Sequence, residues 1–207
     1  MSLCLSVRRT CLSVFLLVFA STAGCSDATS PDTSGITFQH SFSDPVADTT
    51  SPGTNVFARA LDVHAVRVGL TDDSLFVRFE FTTPIDWWSV VTQRSIDGFV
   101  DFDIDASAAS GVPAAVNEFG GGDAQMGVEY YVSLRDNPLR QVLVRDVAQQ
   151  TWSPIGITLE EKAFTLRIRR SDIGETDGIF TMSATIAGLG RMATDFVPNQ
   201  GHFVIGS

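Results

Sequence analysis

The chain has a single lysine, Lys162, among 207 residues, and its 14 basic side chains stand against 24 acidic ones. Nucleic-acid binding requires Lys and Arg clustered against phosphate, so that class of partner is excluded. Cysteine is scarce too, with Cys4, Cys11 and Cys25 as the full set. No apolar run is long enough to span a bilayer as a permanent helix. The G-x-S-x-G, H-E-x-x-H and phosphate-loop signatures are absent, which removes the chemistries they support. No stretch keeps a helical period, and no repeat of fixed length occurs. What is present is a hydrophobic content of 44%, enough for one core of ordinary domain size.

The first 24 residues read as an export signal. Arg8 and Arg9 form a positive start, and Cys11 to Ala20 is an apolar run of the length found in cleaved signals. Its end, Thr22-Ala-Gly-Cys25, resembles the lipobox of bacterial lipoproteins, with Thr22 where leucine is usual. That resemblance implies lipidation of Cys25 and an anchor in the cell envelope, with sorting to the outer membrane favoured by Ser26. Removal of the leader leaves 12 basic residues against 24 acidic ones, a net charge of −12. Cys25 is then the one remaining cysteine, so an intrachain disulfide is excluded and the core alone must hold the fold. Residues 25–35 are small and polar, as suits a flexible tether, and residues 36–207 are expected to form one domain.

That domain reads as a succession of short alternating strands. Ile36 to Phe42 alternates. Val63 to Leu70 turns through Thr71-Asp-Asp-Ser74 into Leu75 to Phe81, a hairpin with Val77, Phe79 and Phe81 on one face and His64, Val66, Val68 and Leu70 on one face of its partner. Later strands place Val128, Tyr130 and Val132, then Phe164, Leu166 and Ile168, then Phe180, Met182, Ala184 and Ile186 inward, and His202 to Ile205 ends the series. Residues 106–126 form a long Ala- and Gly-rich connection, of a length that is usually functional or disordered. The expected fold is all-β: eight to ten antiparallel strands in a two-sheet, jelly-roll-like sandwich.

The stretch 98–111 concentrates charge. Val100, Phe102 and Ile104 face the core, which leaves Asp101, Asp103 and Asp105 on the opposite face. Carboxylates two apart on a strand lie about 7 Å from each other and repel by roughly 2 kcal/mol at an effective dielectric of ~20. A cation, an arginine or a polar ligand must offset that. Arg67, Arg78 and Arg167 on neighbouring strands are the arginines available. For a ligand, Trp87, Trp88 and Trp152 offer flat apolar rings with a polar tip, suited to a partly wet partner if they are exposed rather than plugging the core.

Several of these stretches resemble exported bacterial β-sandwich modules related to family-9 carbohydrate-binding modules and DOMON domains. The resemblance covers roughly residues 60 to 206. It rests on Asp103-Ile-Asp105 with its turn ending at Gly111, on the hairpin Val66 to Val77, on Gly127-Val-Glu-Tyr-Tyr131, on Ile168 to Gly174, and on Asp195 to Gly201. Such modules bind sugars in some members and haem in others, often with a structural calcium ion. The resemblance therefore implies a Ca²⁺ site at Asp103 and Asp105, joined by Asp101 and Glu129, since hard oxygen ligands suit that ion. The run is not an EF-hand, because its sixth position is Ala106 and no glutamate stands at the twelfth.

The Asp-x-Asp-x-Asp pattern also resembles the carboxylate strand of jelly-roll glycosidases, where two carboxylates flank the scissile bond. Those enzymes use glutamate at the outer positions and a larger sandwich. The expectation is thus a non-catalytic, envelope-anchored binding module for carbohydrate, with a structural or interaction lipoprotein lacking a small ligand as the alternative.

Overall fold

A computed structural model describes residues 35–49, 61–85, 96–134, 142–174, 178–187 and 193–206. The lipidation site Cys25 and the tryptophans Trp87 and Trp88 lie outside these residues. The fold is all-β and antiparallel, as the alternation predicts. The described strands are β1 (His40–Ser43), β2 (Val63–Leu70), β3 (Ser74–Phe81), β4 (Asp97–Asp103) and β5 (Val112–Pro113), followed by β6 (Gly127–Val128), β7 (Tyr130–Ser133) and β8 (Val142–Asp146). The series closes with β9 (Thr151–Leu159), β10 (Ala163–Arg169), β11 (Phe180–Ala187), β12 (Ala193–Val197) and β13 (Phe203–Ile205). One turn of helix, α1 (Ala115–Glu118), lies between β5 and β6.

Eleven of these strands form one curled sheet in the order β1-β2-β3-β10-β9-β8-β7-β4-β11-β12, with β13 paired to β11 beside β12. The curl has a local cause in β9. Its first half pairs with β8 through Thr151–Ile155, and its second half with β10 through Gly156–Leu159. Pro154 and Gly156 sit at the change of partner. A residue with no N–H and one with no side chain are the types that let a strand bend out of one ladder into another. The two halves of the sheet then face each other as a sandwich.

Between the halves lies a single core. Val66, Val68, Val77, Phe79, Phe81, Phe164, Leu166 and Ile168 from one half meet Val100, Phe102, Val132, Val144, Phe180, Met182, Ala184 and Ile186 from the other, all buried. Phe164 stacks on Phe79 with centroids 5.0 Å apart. Truncating any of these phenylalanines to alanine removes contacts worth roughly 3–5 kcal/mol. At the open side of the sandwich, Phe42 of β1 stacks on Phe203 of β13 at 4.5 Å.

The structure departs from the alternation in two strands. An irregularity between Val63 and Ala65 shifts the register of β2, so Val63 enters the core and His64, expected inside, is only half-buried. Strand β4 ends at Asp103, which leaves Ile104 half-buried beyond it rather than in the core. The described strands also outnumber the eight to ten expected: β5 lies inside the connection 106–126, β12 forms at 193–197 where no strand is expected, and the stretch 128–134 is divided between β6 and β7. Strands β5 and β6 pair as a small second sheet, and Ala114, Val116, Ala124, Met126 and Val128 form a second apolar cluster against Tyr131 and Phe196. This excursion covers the outer face of β4, β7 and β12. Gly121 shows how close the cover lies: a Cβ there would meet the Phe196 ring at 2.4 Å.

Candidate functional site

The covered face of β4 decides where the acidic residues go. Asp101 is 2% exposed, and its Oδ2 accepts a hydrogen bond of 2.7 Å from the Ala115 N–H of α1. Asp103 is 1% exposed and accepts from the Ser107 N–H at 3.1 Å and the Gly127 N–H at 3.2 Å. Asp105, past the strand end and exposed, accepts from the Ser107 N–H at 3.0 Å and the Ser110 hydroxyl at 2.9 Å. Glu129, between β6 and β7, accepts from the Ile104 N–H at 3.0 Å through Oε2, while its buried Oε1 has no hydrogen-bond partner.

Asp103, Asp105 and Glu129 are thereby brought together, with one carboxylate oxygen from each within 4.8 Å of the others. Asp101 is not part of that group. It lies buried under α1, bound to the Ala115 N–H. The arginines weighed as alternatives stand elsewhere. Arg67 and Arg78 pair with Glu80 at 3.2 and 2.9 Å, Arg78 also binds Glu160 at 2.8 Å, and Arg167 approaches Asp73 at 3.8 Å. The charge on β4 is offset by backbone N–H groups instead.

Burial sets the electrostatics. The Asp101 carboxyl is pushed up to about 7 by loss of water, opposed by the Ala115 N–H and reinforced by the charge of Glu118. The Glu129 carboxyl is raised for the same first reason, with hydrogen bonding from the loop working against it and Asp105 and Asp103 working with burial.

Trp152 is 45% exposed, so of the three tryptophans proposed from sequence it is the one the structure places, and it is not a core plug. Register builds a platform around it. Tyr131 of β7 is opposite Arg145 of β8, which is opposite Trp152 of β9. The Trp152 and Tyr131 rings meet edge to face at 5.8 Å. The Arg145 guanidinium lies 5.1 Å from the Trp152 ring centre and donates to the Tyr131 hydroxyl at 2.8 Å, with Gln150 as a further acceptor. Next to this row is a cleft of roughly 300 Å³ lined by Phe99, Asp101, Glu118, Tyr131, Arg145 and Gln150 among others. Sequence reasoning missed Tyr131 and Arg145. The outward phase of Tyr131 was readable, but its alignment with Arg145 and Trp152 depends on the pairing of three strands.

No protein-family model, curated protein or solved structure matches the chain. Among the described residues, no helix is long and apolar enough to cross a membrane.

Proposed function

We propose that the chain is an envelope-anchored, non-catalytic binding module for carbohydrate, held to the membrane by lipid on Cys25. The observation that carries this reading is the exposed Trp152 ring, braced by Tyr131 and Arg145 beside a cleft whose lining mixes apolar side chains with Glu118, Arg145 and Gln150. A sugar presents an apolar C–H face and a rim of hydroxyls. A flat ring receives the first, and Arg145, Gln150 and Glu118 are suited to the second. The non-catalytic part of the reading is supported by the engagement of Asp101, Asp103 and Asp105 with backbone N–H groups, which occupies oxygens a glycosidase would direct at substrate. Trp87 and Trp88 extend the same proposal beyond the described residues.

Calcium belongs to this reading as an accessory. Asp103, Asp105 and Glu129 would hold the ion at the root of the excursion, and the unpartnered Oε1 of Glu129 is the observation that supports it. The deciding experiment is a glycan array probed with the wild type and Trp152→Ala. A glycan signal that disappears in the variant supports the proposal. A signal that persists unchanged, or a wild type that binds no glycan, overturns it in favour of an interaction lipoprotein without a small ligand.

A further inference from the structure

A second group of carboxylates lies at the other edge of the sandwich, where nothing in the sequence pointed to a site. Asp44 follows β1, Asp48 stands in the loop after it, and Asp195 is in the middle of β12. One carboxylate oxygen from each lies within 4.8 Å of the other two. Asp62, just before β2, stands beside them with its own oxygens engaged by the Ala47 N–H at 3.0 Å and the Thr82 hydroxyl at 2.9 Å.

Closeness of acids alone would mean little, but the buried oxygens here have nothing to bind. Asp44 is 5% exposed, and neither of its carboxylate oxygens has a hydrogen-bond partner. Asp195 is 1% exposed; its Oδ2 accepts from the Val63 N–H at 2.7 Å and its Oδ1 has no partner. Asp48 accepts from the Asn199 side chain through Oδ2, and its Oδ1 is buried without a partner. No lysine or arginine among the described residues pairs with any of them. Each of the three clustered carboxylates therefore has at least one buried oxygen without a partner, four such oxygens in all. A buried polar atom left unsatisfied costs about 1–3 kcal/mol, and more when charged, so the arrangement implies a missing partner.

We propose that Asp44, Asp48 and Asp195 bind a hard divalent cation, Ca²⁺, that clasps the open side of the sandwich. Oxygen-only ligands suit this ion, which accepts irregular geometry and completes its shell with water. Half-buried Asp48 is the side from which it enters. The position gives the ion its task. Strands β1 and β12 are the two ends of the strand order, and no backbone ladder joins them. An ion held by Asp44 and Asp195 ties the first strand to the last, next to the Phe42–Phe203 stack.

The test compares melting temperatures of the full-length chain and its Asp44→Asn variant, in chelator and in millimolar Ca²⁺, at alkaline pH. The Asp103 group is intact in both, so its contribution cancels. In chelator the variant should melt higher than wild type, because one of the repelling charges is gone. In Ca²⁺ the order should reverse, because wild type alone keeps the full ligand set. Asp48→Asn, at a less buried position, should give the same reversal with smaller amplitude and covers the case in which Asp44→Asn fails to fold. The same melting order with and without Ca²⁺ would overturn the proposal.

Discussion

The Asp101 carboxylate accepts a 2.7 Å hydrogen bond from the Ala115 N–H, and both residues are buried. Helix α1 begins after Ala114, which has no side chain able to cap it, so a strand residue serves the Ala115 N–H, which the helix itself leaves without an acceptor. Replacing Asp101 by alanine should cost roughly 1–3 kcal/mol, because it leaves a buried donor unmet. Asp101→Asn keeps a carbonyl acceptor and removes a charge that burial disfavours, and it should cost clearly less. Urea denaturation followed by circular dichroism distinguishes them; equal losses would contradict the capping role.

Gly127 is the point where β6 and the turn after Asp105 come closest. A Cβ there would stand 2.0 Å from the Ser110 carbonyl oxygen and 2.4 Å from that of Ser107. Both obstacles are backbone, so the turn itself must move, and with it the Gly127 N–H that binds Asp103. Gly127→Ala is expected to destabilise by roughly 1–3 kcal/mol, as overpacking does. The change should appear as a lower urea midpoint at unchanged slope, and an unaltered midpoint would show that the turn is not held there.

The parts of the fold that a single face reports were legible in the sequence. Val77, Phe79 and Phe81, or Phe180, Met182 and Ile186, alternate because each strand has one side in the core, and all of them are buried. His64 was misplaced because an irregular register inside β2 breaks the period, and no residue type announces it. The burial of the outer face of β4 was not legible, for a longer-range reason. Asp101 and Asp103 have the polarity of a wet surface, yet both are buried and bound to N–H groups of the 104–128 excursion. The small apolar residues Ala114, Val116, Ala124 and Met126 were the signal that this connection packs on something. The Asp44–Asp195 group could not be read at all, since it forms only when the ends of the strand order meet.

The proposed anchor makes a prediction independent of the fold. If Cys25 carries lipid, the wild-type chain expressed with its leader should partition into the detergent phase of a temperature-induced separation, and Cys25→Ala should move to the aqueous phase. Acyl chains contribute about 0.8 kcal/mol per buried CH₂, so the contrast should be nearly complete. Identical partitioning of the two forms would remove the lipoprotein reading and leave the β-domain argument intact.

Stability of the metal-free chain should depend on pH in an unusual direction. Burial, then the charges of Asp48 and Asp62, pushes the Asp44 carboxyl up to about 7. Asp195 is pushed up to about 8 by burial, against the Val63 N–H and with the charges of Asp44, Asp48 and Asp62; Asp101 reaches about 7. The ordinary value is 3.8. Between that value and about 8, the folded chain holds protons that the unfolded chain has released. Stability therefore falls as pH rises through this window and levels off above it. Glu160 acts oppositely in a lower range. Its carboxyl is held below the usual 4.5 by Arg78, so its contribution is lost only as pH falls further. Urea midpoints measured in chelator from about pH 4.5 to 8.5 should thus decline steadily. Ca²⁺ should flatten the decline, because it binds the deprotonated carboxylates that otherwise repel. A midpoint that rises towards pH 8 in chelator would mean that these aspartates are charged and compensated in the folded chain.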